Sequence, residues 1–301
     1  MAREREPSGA APSRAPAFDV GRALLERPDW FPRFAFTDER EPLSAARLLA
    51  QTLVVVAARG GEQRAFVVKQ LVYHHVAEGE LGGEPVALAF SAIDHGATGF
   101  TPVVEGQRLH LSAGGSHRGA VLLTDDETGS HWDLRSGRAV HGPLAGACMP
   151  RFSTRLLTVR EALARDEALA LSRAPPGLAA RLFNQFGMFA LRGRGFQPPP
   201  WRRTLHELDA RLPFMTEGLG VIHGRYARFY PRARIDRDAA LIDRWGRARA
   251  RVQLREDDGL PEAAWQERDR PLPLQLYTRW YAFAFCFPHC PIYGDPASGY
   301  L

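Results

Sequence analysis

Short apolar runs broken by glycine-bearing turns recur along this chain, and they restrict its fold more than any other feature. LVVVAAR, the pair Gly60-Gly61 and EQRAFVV read as two strands around a two-residue turn. Such a turn needs positive φ at both central positions, which glycine adopts without steric penalty. The pattern returns where TPVV and QRLHLS flank Glu105-Gly106, and where AVLLT and SHWDL flank DDETG. It returns again where SHWDL and RAVHG flank Arg135-Ser136-Gly137. Together these predict a meander of short antiparallel strands. The chain has 28 glycines and 23 prolines in 301 residues, and its 45% hydrophobic content suffices for a sizeable core.

Helices are expected between and after the strands. Residues 1–17, rich in Pro, Ala, Ser and Arg, predict a disordered tail. Asp19 can cap a short helix ending near Pro28, and another is expected over 44–51. Thr158 and Glu161 form a capping box. GLAARLFNQFGMFALRGR places Leu178, Leu182, Phe186 and Phe189 on one helical face. PPPW at 198–201 marks a break, and Thr204 with Glu207 opens a helix to about Leu212.

Beyond it, GLGVI, His223-Gly224 and RYARFY repeat the first hairpin, with Gly224 where Gly61 falls and Phe229 where Phe66 falls. TRWYAFAF matches TVREALAR, with Ala282 and Ala284 in the places of Ala162 and Ala164. The expected class is α+β, mainly antiparallel β with attached helices, in two related units of which the second is shorter. The expected divisions are the tail 1–17, a first unit 18–172, a helical connector 173–215 and a second unit 216–301.

The net charge of +5 comes almost entirely from arginine, since Lys69 is the only lysine. The densest group is Arg228, Arg232, Arg234, Arg237, Arg244, Arg247, Arg249 and Arg251. Without a nucleic-acid reading motif these are read as solvated strand faces, so no nucleic-acid partner is expected. Cys148, Cys286 and Cys290 form no disulfide framework. No secretory leader and no membrane-length apolar run are seen, so a cytoplasmic protein without a membrane partner is expected.

GGEQRAFVVKQLVYHHVAEGELGGEPVALAF, then DDETGSHWDLRSGRAVHGPLAG, resembles the bacterial family known as domain of unknown function 3179. Its members read D-R-E-T-G-S-x-W and G-P-L-A-G where this chain has DDETGSHW and Gly142 to Gly146. The likeness returns at GVIHGRYARFYP and WYAFAFCFPHCPIYG. The family's tryptophan-histidine-glutamate is matched by Tyr73-His74-His75, and its C-x-x-C pair falls on Ser91 and Asp94, followed by His95. Thiol chemistry carried by that pair is therefore not expected at these positions.

The candidate site follows from those segments. His74, Asp94 and His95 could supply two imidazoles and a carboxylate to a divalent metal. Alternatively a histidine could act as a base oriented by Asp94, or the group could bind a small molecule without metal. His75, Ser91 and His117 complete the candidate ligand-binding set, with His131 reachable if its strand lies alongside. On a strand, His74 and His75 would face opposite sides. Asp94 can equally serve as a turn residue, and CFPHC reads as core cysteines with a loop histidine. ETGSHW reads as a turn with Trp132 packed inward. The rival reading is a non-enzymatic binding or scaffold protein that kept the family's shell.

Overall fold

The computed structural model describes residues 18–25, 31–174, 199–205, 207–224, 226–236, 239–267 and 270–295. The predicted tail and the Leu178 to Phe189 helix lie outside them. The chain divides into two compact units, one spanning Ala17–Leu208 and the other running from Asp209 onward. Strands, mostly antiparallel, dominate both, and the helices are short. Among the described residues no helix is long and apolar enough to cross a membrane.

Three five-stranded sheets build the first unit. An outer sheet runs Thr154–Thr158, Leu53–Arg59, Glu62–Val67, Ala170–Ser172 and Glu41–Pro42. A central sheet runs Arg151–Phe152, Ala97–Phe100, Glu84–Phe90, Val76–Leu81 and Phe34–Ala35. A far sheet runs Ala23–Leu25, Leu111–His117, Ala120–Asp125, His131–Asp133 and Ala139–His141. Alternate side chains of a strand point to opposite faces. Val86, Leu88 and Phe90 accordingly pack with Val55 and Phe66 of the outer sheet, while Ala87 and Ala89 pack with Leu111, Leu123 and Trp132 of the far sheet. Covered on both faces, this strand is an unbroken apolar run rather than an alternating one. The helix Val159–Arg165 closes the free face of the outer sheet over Val54, Val56, Ala65 and Leu157.

The turn chemistry is as expected. Gly60 and Gly61 have φ of +54° and +79°, and Glu105 and Gly106 have +51° and +83°. Gly60 is also needed for space, because a Cβ there would lie 2.4 Å from the Gly82 carbonyl oxygen in the next hairpin turn.

Several local expectations are corrected. The segment VKQLVYH forms the helix Val68–His74 where the chain crosses from the outer sheet to the central one, so His74 and His75 do not lie on a strand. After Asp19 there is a single 3-10 turn, Val20–Arg22, whose Gly21 amide bonds Asp19 Oδ1, followed by a strand. The helix expected over 44–51 is reduced to the 3-10 turn Leu43–Ala45. Within the PPPW segment a helix, Pro199–Thr204, begins, and proline is tolerated in a first helical turn. Thr204 ends that helix instead of capping the next. Its hydroxyl accepts the Gly119 amide at 2.9 Å, and among the described residues from 205 to 212 there is no helix.

In the second unit the hairpin Glu217–His223 and Tyr226–Pro231 pairs with Leu274–Arg279. The helix Trp280–Cys286 covers one face through Phe229, Trp280 and Phe283. A meander of Leu241–Trp245, Ala248–Leu254 and Pro261–Trp265 covers the other through Val221, Tyr230, Trp245 and Val252. Each closing helix is tied to its sheet alike: Val159 and Arg160 donate to Thr52 and Ala50 carbonyls, and Trp280 and Tyr281 to Thr216 and Phe214. By these bonds Val159 holds in the first unit the position that Trp280 holds in the second, one residue away from the letter match of Ala162 with Ala282. By hairpin register, likewise, Gly224 holds the position of Gly60 rather than that of Gly61.

Candidate functional site

The strand Glu84–Phe90 ends in a tight turn over 91–96 before the chain returns as Ala97–Phe100. The Ser91 amide donates to the Gly96 carbonyl at 2.9 Å, and the Asp94 amide to Ser91 Oγ at 3.4 Å. His95 takes up φ of +62° to complete the turn. Asp94 is thereby directed inward, with 0% exposure.

It meets Arg135, which sequence reasoning passed over as a turn residue. Arg135, 1% exposed, reaches Asp94 Oδ2 at 3.5 Å and Asp133 Oδ2 at 3.2 Å. Asp133 Oδ1 accepts the Ser136 amide and hydroxyl at 2.7 Å each, which fixes the hairpin turn that presents Arg135. Arg151 donates to the Arg135 carbonyl at 2.7 Å. A cation is thus held between two carboxylates inside the first unit. One signal could have been read: in W-D-L-R, Trp132 and Leu134 supply an apolar face, so Asp133 and Arg135 share the other.

The predicted histidines fall into different settings. His75 caps the helix Val68–His74 with φ of +58°. Its Nδ1 pairs with the Phe90 carbonyl at 3.0 Å while the Phe90 amide donates to the His75 carbonyl at 2.8 Å, which bolts it beside Ser91. His74 turns elsewhere, with Nδ1 2.5 Å from the Pro32 carbonyl and its ring on Phe34 and Tyr73. Burial holds both rings below the ordinary histidine range, the carbonyls of Pro32 and Phe90 opposing it. His95 is half-buried on the turn. Among the described residues no three His, Cys, Asp or Glu side chains stand together so as to hold a metal ion, and His74, Asp94 and His95 form no such set.

His117, at the end of Leu111–His117, belongs to the electrostatic surroundings of the Arg135 bridge. The Asp19 amide donates to its Nε2 at 3.4 Å, and the Phe18 ring lies 4.5 Å from it. Burial, reinforced by Arg118 and then Arg135 against Asp133 and Asp19, pulls its pKa from 6.5 down to about 4. The unfolded chain therefore binds more protons than the folded one between these values, and stability falls as pH is lowered through that window. Urea unfolding should show a loss of about 2–3 kcal/mol from this group between pH 7 and about pH 4.5. His117→Gln should remove that share of the slope and leave the part due to His74, His75 and His131, whose rings burial also holds below the ordinary histidine range.

The two matched family motifs meet in the far sheet. Asp125 accepts the Thr128 amide at 2.6 Å and the Trp132 indole N–H at 2.7 Å, and Trp132 has 0% exposure. Ser130 Oγ accepts the Leu144 amide at 3.0 Å, and Gly142, with φ of +98°, packs on Ser130. These residues brace one another around a turn. In CFPHC, Cys286 and Cys290 are buried, and burial pushes the Cys290 thiol up to about 12.

A family model described as "Protein of unknown function (DUF3179)" matches residues 30–270. No curated protein and no solved structure is significantly similar to the chain. The match spans most of both units, from ahead of the first central-sheet strand to the end of the second unit's meander, and the chain belongs to the DUF3179 family.

Proposed function

We propose that this protein is a non-enzymatic binding protein in which the turn over 91–94, where the resemblance sets a thiol pair in other members, is a closed structural element. The observation that carries this reading is the Asp94–Arg135–Asp133 bridge, whose central pair is at most 1% exposed. A general base or metal ligand must reach the group it serves. Asp94 is instead neutralised by an internal guanidinium.

The second unit supports the reading. Its turn over 255–260 has the same bond, Arg255 amide to Leu260 carbonyl at 3.0 Å, and the same positive φ, +62° at Gly259. Asp258 stands where Asp94 stands and is paired with Arg255 at 2.7 Å. We read the two units as related, with an ion-paired aspartate as a shared way of closing this turn. A cytoplasmic setting fits the three free cysteines.

Metal analysis of the purified protein, alongside His74→Ala, tests the proposal. Substoichiometric metal is expected in both, with equal content. One metal ion per chain that disappears in His74→Ala would overturn the reading and restore a metal site.

A further inference from the structure

In the second unit the strands Leu241–Trp245 and Ala248–Leu254 alternate cleanly. Asp243, Trp245, Ala248, Ala250 and Val252 are buried, while Ile242, Arg244, Arg249 and Arg251 are exposed on the outer face. Register sets Arg244 directly opposite Arg249, Ile242 opposite Arg251, and Arg251 opposite Ala264. Arg247 adds a fourth exposed guanidinium in the connecting turn. Like charges directly across a strand pair repel.

Several other arginines of this unit are differently placed. Arg228 pairs with Asp243, Arg255 with Asp258 and Glu262, Arg279 with Glu217, and Arg211 with Asp209. The four on the outer face make no ion pair with any described residue. The carboxylates bordering the face are engaged, Glu262 with Arg255 and Glu267 with the Arg249 amide, so the face keeps a positive excess at a cost to its own sheet and is complementary to an anion outside the chain.

We infer that this face, Ile242, Arg244, Arg249 and Arg251 with Ala264, docks an acidic extended segment of a partner protein. The inference rests on the binding-protein reading above and identifies the surface that would do the binding. Side chains two apart on a strand are spaced about 7 Å, matching acidic residues at alternate positions of an extended segment. Arginine offers carboxylates a two-pronged fork. Ile242, 46% exposed among the guanidiniums, gives the mixture of apolar and arginine contacts that protein interfaces favour. Nucleic acid fits less well, because the outward residues of this face include no aromatic on which a base could stack. One isoleucine is also a small anchor for a lipid surface.

The test is fluorescence anisotropy with a labelled short peptide of alternating glutamate and valine at about 0.15 M salt. A short DNA duplex and phosphatidylserine vesicles serve as the competing anions. Micromolar binding of the peptide is expected, weakened about tenfold or more in Arg244→Gln/Arg249→Gln/Arg251→Gln and less in Ile242→Asn. The triple variant should melt at or above the wild-type temperature, since it relieves repulsion. Absence of peptide binding, equal binding by the triple variant, or a lower melting temperature would overturn the inference. Tighter binding of the duplex or vesicles would reassign the face to that anion. These outcomes concern the second unit alone, so they are separable from the metal analysis that tests the reading of Asp94 in the first.

Discussion

Arg135→Met should lower the unfolding free energy by about 3–5 kcal/mol, because it strands a buried carboxylate without its counter-charge. Asp133 keeps the Ser136 amide and hydroxyl as donors, so the larger part of the loss falls on Asp94, which has 0% exposure. Asp94→Asn should cost less, about 1–3 kcal/mol, since Arg135 retains Asp133. Chemical denaturation at neutral pH measures both. A loss below about 1 kcal/mol for Arg135→Met would mean that this bridge is not buried in solution.

Trp132→Ala should be as damaging, at about 3–5 kcal/mol, because it empties a volume shared by Ala87, Ala89, Leu111 and Leu123. Asp125→Ala should cost about 2–3 kcal/mol. It removes the acceptor of the Trp132 indole N–H at 2.7 Å and of the Thr128 amide at 2.6 Å, leaving the indole donor unsatisfied in the core. Thermal unfolding followed by circular dichroism would register both. If Trp132→Ala melted like the wild type, the motif DDETGSHW would need a role other than holding the far sheet together.

What was legible in the sequence was local. Gly60-Gly61 and Glu105-Gly106 announce their turns because positive φ is a property of two residues and their neighbours. The Thr158 cap, whose hydroxyl accepts the Glu161 amide at 3.2 Å, is equally a matter of adjacent residues. The helix Val68–His74 was not legible, since Val68, Val72 and Tyr73 favour a strand and the cause of the helix is a crossing between two sheets. The letter alignment of Ala162 with Ala282 differs by one residue from the alignment that the hydrogen bonds give, because bonds between backbones, not similar letters, decide the register. Arg135 was missed for a related reason. Its partner Asp94 is 41 residues away, and a single chain carries no mark joining a turn of the central sheet to one of the far sheet.

The most direct measurement is a double-mutant cycle on Asp94 and Arg135, with Asp94→Asn, Arg135→Met and their combination unfolded in urea. A closed ion bridge predicts that the combined variant loses less than the sum of the single losses, by about 1–3 kcal/mol. Losses that add to within about 0.5 kcal/mol would contradict it, showing that the two side chains act independently and reopening Asp94 as a group available to a ligand.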